Sequence, residues 1–418
     1  MLETEILRTT KIVESDRDTP RSAYVHIPFC RRRCYYCDFP VSVVGDRRNG
    51  TNFSAITEYV DILCQEIAIT PQSHETLKTI FFGGGTPSLL SVPQLEQILA
   101  TLNQYYGIAS DAEISMEVDP GTFNREQIQG YRDLGVNRFS LGVQAFQDEL
   151  LQRCGRSHSV KDIFTAIDLL RQIGVNNLSL DLISGLPEQT LAQWQFSLNS
   201  ACDLSPEHLS CYDLVLEPVT AFGKQFQPGE SPLPSDENAA QMYRMAEKTL
   251  TENGLEHYEI SNYGRSGYQC RHNRIYWENR PYYGFGMGAA SYWQNWRFTR
   301  PRTRREYYTW VENGAKIDAS ELSARDILLE TLMLGLRLAD GVKLEQFSPE
   351  VRRQIAIAIA PYSQKDWLVV LDSQNQSLPL PNQSTFSNNK ILKLTDPEGF
   401  LFSNTVLTAL FKQFDVDN

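Results

Sequence analysis

The sequence predicts an α/β protein: six β/α units around a parallel sheet, followed by a smaller, mostly helical C-terminal domain. Three observations predict it. Short β-rich apolar runs alternate with amphipathic helical stretches from Ala23 to Glu252. The residues with chemical potential fall at or just after the ends of those runs, where parallel-strand folds place their chemistry. The alternation then breaks near Gly254 and a different pattern takes over.

The apolar runs are Ala23–Ile27, Thr79–Phe82, Glu113–Val118, Arg138–Val143, Asn177–Ile183 and Leu209–Leu216. Helical stretches Ser54–Ile69, Val92–Gln104, Arg125–Leu134, Val160–Ile173 and Leu191–Cys202 lie between them, and a sixth, near Glu237–Glu252, follows the last. Buried-looking strands joined by helical crossovers argue a parallel sheet with right-handed connections. Periodicity alone leaves two architectures open, a partial six-unit barrel and an open doubly wound sheet.

Beyond Gly254, residues 257–310 are dense in Tyr, Trp and Arg. An amphipathic helix from Ala324 to Gly341 seeds the second domain, the stretch 361–391 is polar and reads as a loop or poorly ordered insertion, and Leu392–Phe414 is helical again. The expected division is a flexible segment 1–20, a core 21–310 with an aromatic-rich extension from about 257, and a C-terminal domain 311–418.

The chain has 418 residues, 41% hydrophobic and 22% charged, with a formal net charge of -12. That charge excludes a fold-wide basic footprint for nucleic acid. One basic stretch, Arg297 to Arg305, reads as a solvated loop. The N-terminus lacks the continuous apolar core of a secretory signal, and no run of about 18 apolar residues predicts a spanning helix. Eight cysteines without an export signal point to the reducing cytoplasm, where clustered cysteines bind metals more often than they form disulfides.

Three of them form Cys30-x3-Cys34-x2-Cys37 in HIPFCRRRCYYCDFP, directly after the first run. Zinc would need a distant fourth ligand such as His26. A [4Fe–4S] cubane held by three thiolates keeps one iron free of protein ligands, where a chelating small molecule can bind and receive an electron. Cys64, Cys154, Cys202, Cys211 and Cys270 read as structural, as do His74, His158, His208 and His257. The segment FGGGTP follows the second run, and its glycines let backbone approach a ligand closely. Glu117, in EVDP, can accept two hydroxyls at a strand end, and Asp119 reads as a surface acid closing it.

Together, YVHIPFC, FFGGGTPS, EVDP, SLGVQ and DLISGLPEQT closely resemble the oxygen-independent coproporphyrinogen III oxidase family of radical S-adenosylmethionine (SAM) proteins, from about Tyr24 to Tyr292. The resemblance implies the partial (β/α)6 barrel. It also implies that Cys30, Cys34 and Cys37 ligate the cluster, that Tyr24, Gly84, Gly85, Thr86 and Glu117 contact SAM, and that Tyr36 flanks it. Gln144, Arg156, Asp181 and Ala290 match further positions of the same cavity.

Two departures matter. The oxidases carry another cysteine two residues after the third, where this chain has Phe39, and they have a longer arm before the cysteine loop. Both departures, and the segment His272-Asn273-Arg274-Ile275-Tyr276-Trp277, resemble the HemW-type branch of radical SAM heme chaperones. That resemblance implies heme as cargo, with His272 offering an axial imidazole and Tyr276 and Trp277 offering faces. It implies heme-accepting apoproteins and an electron donor as partners, with membrane contact only through a membrane-bound acceptor; a homodimer through cluster or heme stays open. A coproporphyrinogen III dehydrogenase is the alternative, and a radical SAM enzyme of unrelated substrate a third.

Overall fold

The computed structural model describes residues 19–46, 54–362, 365–378 and 389–415. Most of the expected flexible segment 1–20, and part of the 361–391 stretch, lie outside the described residues.

Strand β1 (Ser22–Ile27) leads into the cysteine loop, whose base is a two-residue parallel pair, β2 (Phe29–Cys30) with β3 (Ser42–Val43). Five β/α repeats follow: α1 (Ser54–Ile69) and β4 (Leu77–Gly84); α2 (Val92–Tyr106) and β5 (Ile108–Val118); α3 (Arg125–Asp133) and β6 (Arg138–Gln144); α4 (Asp148–Arg153), α5 (Val160–Gln172) and β7 (Leu178–Ser184); α6 (Leu191–Asp203) and β8 (His208–Asp213). Three crossover helices start where side chains cap them. Ser91, Ser159 and Thr190 form capping boxes with Gln94, Asp162 and Gln193, satisfying amide donors that have no intrahelical partner.

Next come α7 (Ala221–Gln225), α8 (Asp236–Glu252), β9 (Glu256–Glu259), β10 (Asn262–Gly264), α9 (Arg271–Trp277) and β11 (Tyr283–Phe285). The main sheet has the order β11-β1-β4-β5-β6-β7-β8-β10-β9. Every pair from β11 to β8 is parallel, and β10 and β9 add antiparallel strands at the far edge. Among the described residues no pairing joins β9 to β11, so the sheet ends in two edges and the barrel is partial. Strand β11 is a seventh parallel strand that the apolar runs did not reveal.

The strands alternate instead of being apolar throughout. Register aligns Val25 with Phe82, Phe82 with Met116, Met116 with Phe139, Phe139 with Leu178 and Leu180 with Leu209. This face is buried and forms the core with the helices. The opposite face aligns Tyr24 with Phe81, Glu117 with Ser140, Ser140 with Ser179, Gly142 with Asp181 and Asp181 with Ser210. One face of the sheet is therefore oily and the other, enclosed by the sheet's curvature, is polar.

The hairpin β12 (Ala290–Trp293) with β13 (Trp296–Thr299) and helix α10 (Arg304–Glu312) follow β11. The C-terminal region combines α11 (Ala324–Gly335), β14 (Val342–Lys343), α12 (Pro349–Ile359), β15 (Leu368–Leu371), β16 (Ser377–Leu378), β17 (Ile391–Leu394), α13 (Glu398–Leu401) and α14 (Ser403–Phe414). Its four strands form an antiparallel sheet, β14-β17-β15-β16. Leu332, Ile355, Val370, Leu392, Val406 and Leu410 form a second core there, joined by Tyr243 of α8. The 361–391 stretch thus contains paired strands: Leu368 and Val370 face inward while polar neighbours flank them, a short signal that composition over 30 residues conceals.

Candidate functional site

The cysteine loop leaves β1 at the C-terminal end of the sheet and is fastened on several sides. Its backbone bonds to the glycine turn after β4 (Gly85 N to the Ile27 carbonyl at 2.9 Å, Thr86 N to the Phe29 carbonyl at 2.7 Å). The Tyr35 amide donates to the Cys154 carbonyl at 3.0 Å, and the Tyr35 carbonyl accepts from Phe222 at 3.0 Å. His26 holds the loop's far end: its ring bonds the Pro40 carbonyl through Nε2 at 3.1 Å and the Tyr24 hydroxyl through Nδ1 at 3.0 Å. Both nitrogens are committed and burial pushes this imidazole down to about 4, so it is a neutral brace and no fourth zinc ligand.

Cys30, Cys34 and Cys37 are free thiols, partly accessible on this loop. Burial pushes Cys30 up to about 12, with Asp119 and the neighbouring thiols adding to it, and pushes Cys37 up to about 11. Negative charge on one thiol opposes ionisation of the others. Bound iron would supply the positive charge that allows all three to become thiolates, so the donor set fits an iron–sulfur cluster held by Cys30, Cys34 and Cys37. Among the described residues no three Cys, His, Asp or Glu side chains form a single-ion site.

Around the loop stands a ring of polar groups contributed by successive strands. Glu117 accepts from the Gly84 amide at 3.1 Å. Asp119 accepts from Arg156 at 2.6 Å and from the Thr86 hydroxyl at 3.2 Å. Arg156 also donates to the Gly142 carbonyl at 3.1 Å and reaches Cys34 Sγ at 3.5 Å. Asp181 accepts from Ser140 at 2.9 Å. Burial, then the charge of Asp181, pushes Glu117 up to about 8. Tyr36 lies in the electrostatic field of Cys34 and Arg156, and its phenol is raised by burial.

Two of the expected residues carry a geometric mark. Gln144 closes β6 with φ of 64°, in the left-handed region, and its buried Oε1 has no partner. A strained residue with an idle polar atom is commonly one set for a ligand. Gly84 has φ of 110°, and a Cβ there would stand 2.3 Å from the His26 ring, so the chain itself demands glycine before any ligand does.

The distant GFGMGAAS segment completes the rim. A Cβ on Gly286 would meet the His26 carbonyl at 2.7 Å, and one on Gly288 would meet Pro40 at 2.3 Å, so this turn lies against the cysteine loop; Ala290 follows it at the start of β12. The turn is locked from behind. Glu66, fully buried on α1, accepts from the Gly286 amide at 2.7 Å, from Arg300 Nε at 2.7 Å and from the Tyr307 hydroxyl at 2.5 Å. Tyr59 joins the turn to the loop, donating to the His26 carbonyl at 2.7 Å and accepting from Met287 at 3.0 Å. The Arg297–Arg305 stretch is accordingly no solvated loop: Arg300 is buried, Arg297 pairs with Glu330 at 2.9 Å, and Arg302 donates to the Asp38 carbonyl at 3.1 Å.

His272 lies in the core, away from the cysteine loop. It is 0% exposed, and both ring nitrogens are used, Nδ1 with the Thr79 hydroxyl at 2.8 Å and Nε2 with the Tyr276 hydroxyl at 2.9 Å. Heme iron would have to displace one of them and enter the core. Trp277, half-buried, lies under the Arg337 guanidinium at 4.3 Å. Tyr276 and Tyr282 pack edge to face at 4.7 Å.

Reading the sequence missed Glu113, Arg138 and the Glu66–Arg300 pair, and took Asp119 for a surface acid, whereas it joins Arg156 to Thr86. Glu113 accepts the His272 and Arg271 amides at 3.0 Å each, and Arg138 is 2% exposed beside it. For Glu113 and Arg138 the signal was present as polar residues within strands otherwise taken as apolar.

A family model described as the radical SAM superfamily matches residues 24–201, and one described as the HemN C-terminal domain matches residues 322–376. The heme chaperone HemW of Synechocystis sp. is 51% identical over 405 residues, covering 95% of this chain and 98% of the relative. The heme chaperone HemW of Bacillus subtilis is 38% identical over 340 residues, covering 80% and 88%. The solved structure of the coproporphyrinogen III oxidase HemN of Escherichia coli, a radical SAM enzyme, aligns with a TM-score of 0.77 at 21% identity, covering 94% of this chain and 90% of that one, a likeness of fold.

Proposed function

The chain belongs to the HemW family of radical SAM proteins, and on that premise we propose that it is a heme chaperone, binding heme on a [4Fe–4S] and SAM scaffold and passing it to acceptor proteins. Cys30, Cys34 and Cys37 hold the cluster, which when bound supplies an electron to SAM at its open iron. Gly84, Gly85 and Thr86 present backbone and hydroxyl to the methionine end of SAM. Glu117 takes the ribose hydroxyls, and Gln144, Arg156 and Asp181 close the cavity, with Tyr24, Tyr36 and Ala290 on its rim. Asp119 fixes Arg156 and Thr86 relative to each other, so that neither must reorganise when the ligand arrives. Heme-accepting apoproteins and an electron donor for the cluster are its partners. Among the described residues no helix is long and apolar enough to cross a membrane.

The observation that carries the chaperone reading over the oxidase one is Phe39. Two residues after the third cysteine, where the oxidases have another thiol, stands a phenyl ring 52% exposed with no metal-ligating atom. Tyr35 and Val43 are exposed on the same loop, beside Arg32 and Arg33. This combination offers a planar apolar ring with two carboxylates both surface and counter-charge. Titrating heme into the anaerobically reconstituted protein tests the reading. A shifted Soret band saturating at about one heme per chain is expected for a single cargo site. A band that tracks free heme at every ratio contradicts it.

A further inference from the structure

The helix Arg271–Trp277 contacts neither the cysteine loop nor the Gly84–Thr86 turn in any described hydrogen bond, yet it is built into the polar side of the main sheet. Its amides at Arg271 and His272 are received by Glu113 of β5 at 3.0 Å each. The His272 ring bonds Thr79 of β4 on one side and Tyr276 on the other, at 2.8 and 2.9 Å. Its face stacks on Phe81 with centroids 5.3 Å apart, and Phe81 in turn stacks on Tyr24 at 6.3 Å. A Cβ on Gly83 would meet the Phe81 ring at 2.9 Å, the Tyr24 ring at 3.0 Å and Glu117 Oε1 at 3.2 Å, so these three groups converge over one glycine. The Tyr276 phenol lies in the electrostatic field of Tyr24 and Glu117.

We infer that this helix is the floor of the Tyr24–Glu117 pocket, with His272 a positioning residue that holds Phe81 and the Tyr276 hydroxyl beneath the ligand bound there. The inference rests on the SAM reading of that pocket. It gives the segment a role in holding SAM in place of one in ligating heme. The physical logic is a rigid stack. His272 has two fixed hydrogen bonds and one fixed stacking partner, so its ring cannot rotate without breaking all three. Removing it frees Tyr276 and lets Phe81 tilt, and the surface beneath Tyr24 and Glu117 loosens. Tyr276→Phe keeps the ring and its packing while deleting only the hydroxyl, so a loss in that variant does not arise from a cavity.

The test uses full-length, cluster-loaded protein and follows the SAM-induced change in the electron paramagnetic resonance spectrum of the reduced cluster. Tyr276→Phe and His272→Gln are each expected to weaken SAM binding on the order of tenfold, the size of one or two lost hydrogen bonds. The double variant is expected to bind about as well as either single one, because the two side chains act through one bond. The Soret band of added heme is expected to match wild type in Tyr276→Phe. A folded, iron-replete Tyr276→Phe protein with wild-type SAM affinity overturns the inference alone. So does a changed heme spectrum with unchanged SAM binding, which would return the segment to the heme. A wild-type protein whose cluster spectrum ignores SAM overturns the underlying pocket reading, and the inference with it.

Discussion

Glu117 illustrates how the site is held ready at the level of one residue. Burial and the nearby Asp181 carboxylate raise its pKa to about 8, against an ordinary value near 4.5. Without SAM the folded chain therefore keeps a proton that the unfolded chain releases between those values. Where the native state binds the extra proton, stability falls as pH rises. The SAM-free protein is expected to lose stability from about pH 4.5 to pH 8 through this group, and Glu117→Gln, which cannot ionise, to flatten that part of the curve and gain stability at pH 8. Melting temperatures across the range check this; parallel profiles for the two proteins would show that Glu117 is not the group responsible. At this scale the sequence was most legible where chemistry is local. Cys30, Cys34 and Cys37 share one short segment and the glycine turn another, whereas the distant groups that fasten the loop, Cys154, Arg156 and Phe222, could not be read from it. His272 was legible as a residue type but not as a contact. An imidazole in an aromatic segment reads as a ligand, and its bond to Thr79, nearly two hundred positions earlier, leaves no mark in the sequence. The same holds for Gly84, whose freedom serves the His26 ring as much as any ligand.

Among the elements, helix positions within the β/α repeats followed the 3.6-residue apolar period, and α1 starts and ends at Ser54 and Ile69 as expected, whereas the helix expected over Ala324–Gly341 ends at Gly335 and the stretch expected to be helical from Leu392 opens as strand β17. The strands were placed correctly as runs, but their two faces were not separated, because Val, Ile and Leu dominate the eye while Ser115, Ser140, Ser179 and Ser210 supply the alternation. Strand β11 escaped because three residues, Tyr283–Phe285, carry no periodicity and are defined only by pairing with β1. The join between α1 and the rim turn includes a buried ion pair, Arg300 with Glu66, both with side chains about 1% exposed or less. Removing one partner leaves an uncompensated buried charge. Arg300→Met is expected to destabilise by about 3–5 kcal/mol, and adding Glu66→Gln to recover a substantial part of it. Urea unfolding midpoints check both. A loss below about 1 kcal/mol in the single variant would mean that water replaces the guanidinium and the turn is not held from behind.

For the whole molecule, the two cores are tied by paired groups as well as apolar contact. Arg337 bridges to the fully buried Glu259 at 2.9 Å while covering Trp277, His257 bonds Asp396 at 2.8 Å, and Arg244 meets Glu398 at 2.6 Å on the surface. The C-terminal region thus braces β9 at the far edge of the main sheet through Arg337 and, through Glu330 and Thr331, the hairpin and turn flanking β11, while the cysteine loop and the rim turn lie around β1 and β11. Tyr35, Phe39 and Val43 are exposed on the cysteine loop. The measurement that tests the chaperone account most directly is one anaerobic incubation. Reduced, cluster- and SAM-loaded protein is given equal amounts of heme and coproporphyrinogen III, and the tetrapyrroles are separated afterwards into bound and free. Decarboxylation needs a propionate side chain held within reach of the radical carbon, and a chaperone that only carries its cargo holds none there. The expected result is heme retained by the protein and coproporphyrinogen III recovered unchanged. Decarboxylated product with no retained heme would contradict the account and make the protein an oxidase.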